Sequence, residues 1–163
     1  YAGTGQVAPR YDMSTGRGVF KSTDGGRTWR SVGLRATLTI GRIWIDPHNA
    51  NVVLVAAMGD PYKPSRARGI YRTTNGGKSW THVLAINERT GVVDLASDPS
   101  DPRLIYAAAW QSRDWPWLDY FESHGGPDSG IYRSTDGGKT WTRLTGGGFP
   151  DGALGRIGRR VTH

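Results

Sequence analysis

The chain has 163 residues, a formal net charge of +7, no cysteine, 24 glycines and 7 tryptophans. That length suits about one domain, and the missing cysteines exclude a disulfide framework and a thiolate metal site. No apolar run approaches the ~18 residues of a membrane-spanning helix, and no apolar secretory core opens the chain, which starts at Tyr1 in mid-strand. The positive charge permits an acidic partner. The basic residues are scattered, however, with the densest group at Arg156, Arg159 and Arg160. Without a basic stripe, nucleic acid is not an expected partner.

In chain order, short β-branched and aromatic runs bounded by turn residues read as strands. Tyr1 to Gln6, Gly18 to Ser22 and Thr28 to Val32 come first. A complete unit follows, with strands A to D near 41–46, 52–58, 69–74 and 79–84. The next unit places its strands near 91–97, 104–109, 130–134 and 140–144. Gly155 to Thr162 then reads as one more strand A. Asp-Pro, Asp-Gly and Asn-Gly pairs mark the turns between them. No stretch carries a helical period.

These units are repeats. Ser22 to Trp29 (STDGGRTW), Thr73 to Trp80 (TTNGGKSW) and Ser134 to Trp141 (STDGGKTW) are nearly one phrase. Each is preceded by Gly, an aliphatic, an aromatic and a basic residue: Gly18 to Lys21, Gly69 to Arg72 and Gly130 to Arg133. A further phrase, Gly41-Arg42-Ile43, recurs as Gly91-Val92-Val93 and Gly155-Arg156-Ile157. Four strands per unit of about 50–60 residues indicate the blades of a β-propeller, an all-β fold.

Each letter of the eight-residue phrase has a local task. Asp24, Asn75 and Asp136 can accept bonds from the N–H groups of their own turn. Gly25-Gly26, Gly76-Gly77 and Gly137-Gly138 permit positive φ. Ser22, Thr73 and Ser134 add a hydroxyl, Thr28, Ser79 and Thr140 begin strand D, and Trp29, Trp80 and Trp141 cover the corner. One acid per copy, replaced by Asn75 in the middle copy, suits neither a metal nor catalysis. Too few oxygen ligands lie at the spacing of a Ca²⁺ loop. No metal or cofactor is expected.

The pattern Ser-x-Asp-x-Gly-x-Thr-Trp resembles the Asp-box, or BNR repeat, of sialidases, xyloglucanase-like glycoside hydrolases and sortilin-type receptor propellers. The longer phrases GRIWIDPHNANVVLVAA and GRGVFKSTDGGRTW are most similar to bacterial BNR proteins related to the sortilin propeller. The resemblance implies that the boxes mark the fold and lie opposite the ligand-binding face. It also mildly favours an extracytoplasmic location. It does not carry sialidase activity across, because the Phe-Arg-Ile-Pro motif is absent. Neither the sialidase set nor the paired Asp residues of xyloglucanases can be placed.

The expected strands amount to three blades: residues 1–40 supply strands B, C and D of a split blade, 41–90 and 91–154 a blade each, and 155–163 a lone strand A. Propellers close with about 4–8 blades. Either the chain is a piece of a longer propeller, or two copies form a homodimer of six blades. In that dimer, strand A of each chain is exchanged into the split blade of the other.

Function is expected on the face of the B–C and D–A loops. The longest such loop, Trp110 to Ser129, holds Trp110, Trp115, Trp117 and Tyr120 among Asp114, Asp119 and Glu122. These aromatics either form the loop's own small core or stack on a sugar or peptide ligand. Two of the acids would serve a glycoside hydrolase. Arg42 and Arg156 begin innermost strands; they either pair with neighbouring acids and carbonyls or present guanidinium groups to an anion. The sequence therefore reads as a binding module of unknown ligand, with a glycoside hydrolase as the alternative.

Overall fold

The computed structural model describes residues 1–7, 14–112 and 125–158. Within them lie eleven strands and one turn of 3-10 helix, Arg35–Thr37. The strands are β1 (Ala2–Gly3), β2 (Val19–Lys21), β3 (Arg30–Ser31), β4 (Ile40–Asp46), β5 (Asn49–Ala57), β6 (Gly69–Thr73), β7 (Thr81–Leu84), β8 (Thr90–Ser97), β9 (Ile105–Gln111), β10 (Gly130–Ser134) and β11 (Thr142–Arg143). They form three antiparallel sheets in the orders β1-β2-β3, β4-β5-β6-β7 and β8-β9-β10-β11. The fold is an all-β stack of propeller blades. No helix among the described residues is long and apolar enough to cross a membrane.

The sheets stack because each strand B is apolar on both faces. On β5, Val53, Val55 and Ala57 join Val19 and Ile40 in a cluster with the first sheet. The alternate residues Leu54 and Ala56 join Val92, Leu95, Ile105 and Ala107 in a cluster with the third. Period-2 alternation thus serves two neighbours at once. At the innermost strands the backbones themselves meet. A Cβ on Gly41 would lie 2.4 Å from Val93 O, and one on Gly91 would lie 2.6 Å from Met58 Cα. At the outer edge, Trp80 and Trp141 fill the gaps instead.

The repeated phrase folds as its chemistry demands. Ser22 Oγ accepts from Gly26 N–H at 2.8 Å and donates to Asp24 Oδ1 at 2.8 Å. Asp24 accepts from Thr28 N–H at 2.9 Å and Thr28 Oγ1 at 2.6 Å. Asp136 repeats this with Ser134 and Thr140, and Asn75 with Thr73 and Ser79. In the middle copy the amide Nδ2 donates to Ser79 Oγ, the reverse of the hydroxyl-to-carboxylate bond elsewhere. All six glycines of the corners have positive φ.

Two differences from the sequence reading stand out. Strand D is shorter than expected in all three sheets, because the turn's bonds hold Thr28, Ser79 and Thr140 out of the ladder. The expected strand A over Gly155 to Thr162 is not seen in its described part, 155–158, so the first sheet has three strands. Instead Leu154 bridges to Gly126. Ile157 packs against Met58, Val93, Ala108 and Trp110.

Candidate functional site

The B–C and D–A loops share one face, opposite the boxes, and backbone and side-chain bonds tie them into a layer. Its centre is Arg68, only 1% exposed. Arg68 Nη2 donates to Asp60 O at 2.6 Å, closing its own loop, and Nη1 donates to Arg89 O at 3.1 Å in the next. Ser65 N–H and Ser112 N–H donate to Glu88 O and Arg89 O, at 2.7 and 3.2 Å. Asn87 Nδ2 donates to Asp128 Oδ2 at 2.9 Å, carrying the layer across to the third sheet. There Arg143 Nη2 holds Pro127 O and Ser129 O at 2.7 and 3.0 Å. Below the layer, His82 stacks on Tyr71 with ring centroids 4.3 Å apart, and its Nε2 lies 2.9 Å from Arg68 O. A carbonyl can only accept, so Nε2 carries the hydrogen. Burial pushes the Tyr71 hydroxyl above its usual range.

Three ion pairs lie on this face among the described residues. Arg42 Nε lies 3.8 Å from Asp94 Oδ1, with side chains 63% and 28% exposed. Asp94 also accepts from Leu95 N–H at 2.8 Å, beside the bulge between Val92 and Asp94. Arg66 Nε binds Glu88 Oε1 at 2.8 Å, and Lys63 Nζ lies 3.7 Å from Asp60. A cavity of about 140 Å³ under residues 144–154 is lined by Arg143, Phe149, Pro150, Asp151 and Leu154. It is smaller than the ~300 Å³ at which small-molecule pockets begin.

The sequence-predicted residues separate as follows. Arg42 takes the paired state. Arg156 is exposed, with no side-chain hydrogen bond or ion pair among the described residues. Trp110, expected as a ligand platform, is 2% exposed and belongs to a core cluster with Met58, Val93 and Ala108. It is therefore a packing residue of the third sheet, pointing inward with Ala108 on one face of β9. Trp115, Trp117, Asp119 and Tyr120, with Asp114 and Glu122, lie outside the described residues. Arg68, Asn87 and Asp128 were missed. Their one signal is Arg68 immediately before the Gly of strand C, as Arg17 precedes Gly18.

Among the described residues, the shifted carboxylates all lie on the opposite face, and all are lowered. Bonds from the Thr28 hydroxyl and N–H and from Ser22 hold Asp24 at about 2. Partial burial pushes Asp136 upward, but its bonds from Thr140, Ser134 and Lys139 outweigh this and hold it at about 2. Arg103 likewise lowers Asp101. These acids are ionised acceptors at neutral pH. Among the described residues, no group of three or more His, Cys, Asp or Glu is placed to hold a metal.

Three curated relatives resemble the chain. A xyloglucanase of Paenibacillus sp is 26% identical over 80% of the chain and 12% of its own length. Xyloglucanase Xgh74A of Acetivibrio thermocellus is 28% identical over 77% of the chain and 14% of its own length. A probable oligoxyloglucan-reducing end-specific xyloglucanase of Neosartorya fischeri is 30% identical over 88% and 16%. Among solved structures, an ancestral GH74 enzyme superposes with a TM-score of 0.59 at 25% identity, covering 81% of this chain and 16% of that one. The GH74 xyloglucanase of Xanthomonas campestris, at 19% identity and a TM-score of 0.51, covers 80% and 18% and shares the fold. The chain thus spans about one-eighth to one-sixth of the curated relatives it matches. The profile of Sortilin-Vps10 (sortilin, neurotensin receptor 3) matches residues 17–147, most of the length, and the chain belongs to that family.

Proposed function

We propose that the chain is a recognition segment of a β-propeller, binding a glycan or peptide on the face of its B–C and D–A loops. The observation that carries this reading is the state of four of the described acids on that face. Asp60, Glu88, Asp94 and Asp128 each engage a cation or an amide side chain. Glycoside hydrolysis needs one carboxyl kept protonated near neutral pH opposite a second that is ionised. A rim of satisfied charges over a bonded loop layer suits binding by a preorganised surface instead. An extracytoplasmic setting accords with the family.

The second reading, a portion of a xyloglucan-hydrolysing propeller, is favoured by relatives at 26–30% identity that are xyloglucanases. A glycan array and a peptide library, run beside xyloglucan and aryl-glycoside hydrolysis assays, separate the two. Saturable binding without turnover, weakened by Arg42→Ala, supports recognition. Turnover that disappears in Asp119→Asn overturns it.

A further inference from the structure

Asn75 is the only asparagine of the chain followed by glycine; Asn49, Asn51 and Asn87 precede Ala50, Val52 and Glu88. A glycine nitrogen, with no side chain beside it, can reach back and attack the preceding amide carbon. The sister corners carry Asp24-Gly25 and Asp136-Gly137. Their carboxylates are ionised at neutral pH and resist such attack. The amide makes the middle corner the reactive one, and it belongs to the sheet that has a neighbour on each side.

Folding occupies both reacting groups. Asn75 is exposed, so water reaches it. Its Oδ1 accepts from Thr73 Oγ1 at 2.9 Å and from Ser79 N–H at 3.0 Å, and its Nδ2 donates to Ser79 Oγ at 2.8 Å. Gly76 N–H, the nucleophile, donates to Asn51 O at 3.0 Å, as Gly137 N–H does to Arg103 O at 3.0 Å. Lys21 Nζ of the preceding sheet donates to Gly76 O at 3.4 Å. Gly76 is thus tied at its N–H and at its carbonyl. Turning its nitrogen onto Asn75 Cγ requires the corner to open locally.

We propose that Asn75-Gly76 is a deamidation site gated by the opening of its corner, and that the corner accepts the aspartyl product. Once the corner opens, Gly76 N gives its proton to a solvent base and bonds to Asn75 Cγ. The Cγ–Nδ2 bond breaks, and Nδ2 takes a proton from water and leaves as ammonia. Water then opens the cyclic imide, leaving an aspartyl or an isoaspartyl residue at position 75. The net change is amide plus water to acid plus ammonia. The aspartyl form finds the bonds of its sisters waiting. A hydroxyl both donates and accepts, so Ser79 Oγ turns its hydrogen onto the new carboxylate, as Thr28 and Thr140 do at 2.6 Å. The isoaspartyl form lengthens the backbone by one carbon and loses that set.

The 163-residue chain, held at about pH 8 and 37 °C in buffer or in concentrated guanidinium chloride, tests this. Trypsin, cutting after Arg72 and Lys78, releases Thr73 to Lys78, whose mass reports the exchange of amide for acid. Conversion is expected to be at least about tenfold slower in buffer. Ser79→Ala frees Nδ2 and should speed the reaction in buffer about fivefold while leaving the rate in denaturant unchanged. Lys21→Met, which releases the Gly76 carbonyl, should act in the same direction. Tryptophan fluorescence checks that each variant is folded. Asn75→Asp should fold with a urea midpoint at or above that of the parent at pH 7, because bonds to a carboxylate are the stronger. Equal rates in the two media overturn the gating, as does a rate in buffer indifferent to both variants. An intact peptide in denaturant overturns the site, and a lowered midpoint in Asn75→Asp overturns the fit of the product.

Discussion

Gly26 and Gly138 occupy the same position of the repeated corner in different surroundings, and alanine at each should give different losses. Both have positive φ, +90 and +79, and both donate to the corner's serine hydroxyl, at 2.8 and 2.9 Å. A left-handed alanine costs about 1–2 kcal/mol, and stiffening the unfolded chain offsets roughly 0.4–1 of that. At Gly26 the new Cβ meets only Trp29 Cζ2 at 3.7 Å, an ordinary contact, so the net loss is about 1 kcal/mol. At Gly138 it would lie 2.5 Å from Leu54 Cδ1 and 2.8 Å from Cδ2, and Leu54 is 0% exposed. Overpacking adds about 1–3 kcal/mol there, giving roughly 3 in all. Leu54→Val shortens the obstructing side chain at about 1 kcal/mol of its own. The double variant should therefore lose about 1–2 kcal/mol less than the sum of the singles. Urea unfolding followed by tryptophan fluorescence at pH 7 measures all four. Equal losses at Gly26 and Gly138, or strict additivity with Leu54→Val, would refute the packing argument.

Other predictions concern the corners and the loop layer. The folded values of Asp24 and Asp136, about 2, lie below the ordinary carboxylate range of about 4, so their contribution is whole above about pH 5. It should be lost as pH falls from about 4 through 2, and melting temperatures across that window should fall less in Asp24→Asn/Asp136→Asn. Trp80 Nε1 donates to Val32 O of the preceding sheet at 2.7 Å, so Trp80→Phe removes that donor and some packing, an expected loss of about 2 kcal/mol by urea midpoint with an unchanged slope; no change would deny the inter-sheet bond a role. Arg68→Met should cost about 2–3 kcal/mol. It should also speed hydrogen exchange at Ser65 and Ser112, whose acceptors are carbonyls of the layer that Arg68 joins.

Much of the architecture was legible because the corners spell out their own bonds: hydroxyl, carboxylate or amide, paired glycines. What escaped lies between distant residues or in backbone irregularity. The basic residue of strand C repeats visibly, yet its acceptor is 55 or 65 positions away on another sheet. Leu34 and Leu38 adopt φ of 57° and 51° around the 3-10 turn, and no glycine or asparagine advertises it. The bulge in β8 falls on Val93 and likewise leaves no compositional trace, whereas that in β4 falls on Gly41. Trp110 was read with the aromatic loop that follows it. The alternation Tyr106, Ala108, Trp110 was the better guide, because β9 runs on to Gln111 and carries the indole into the core. For the rest of that loop the sequence stands alone.

Glycine at the innermost strands and Trp141 at the outer edge make the gap between the second and third sheets a wedge, thin at the hub and thick at the rim. The taper of that wedge is the angle through which one paddle turns from the last. Curvature is therefore written in side-chain volume, read radially. Thickening the hub at Gly41 or Gly91 would flatten the arc, so these glycines govern how many paddles complete a circle.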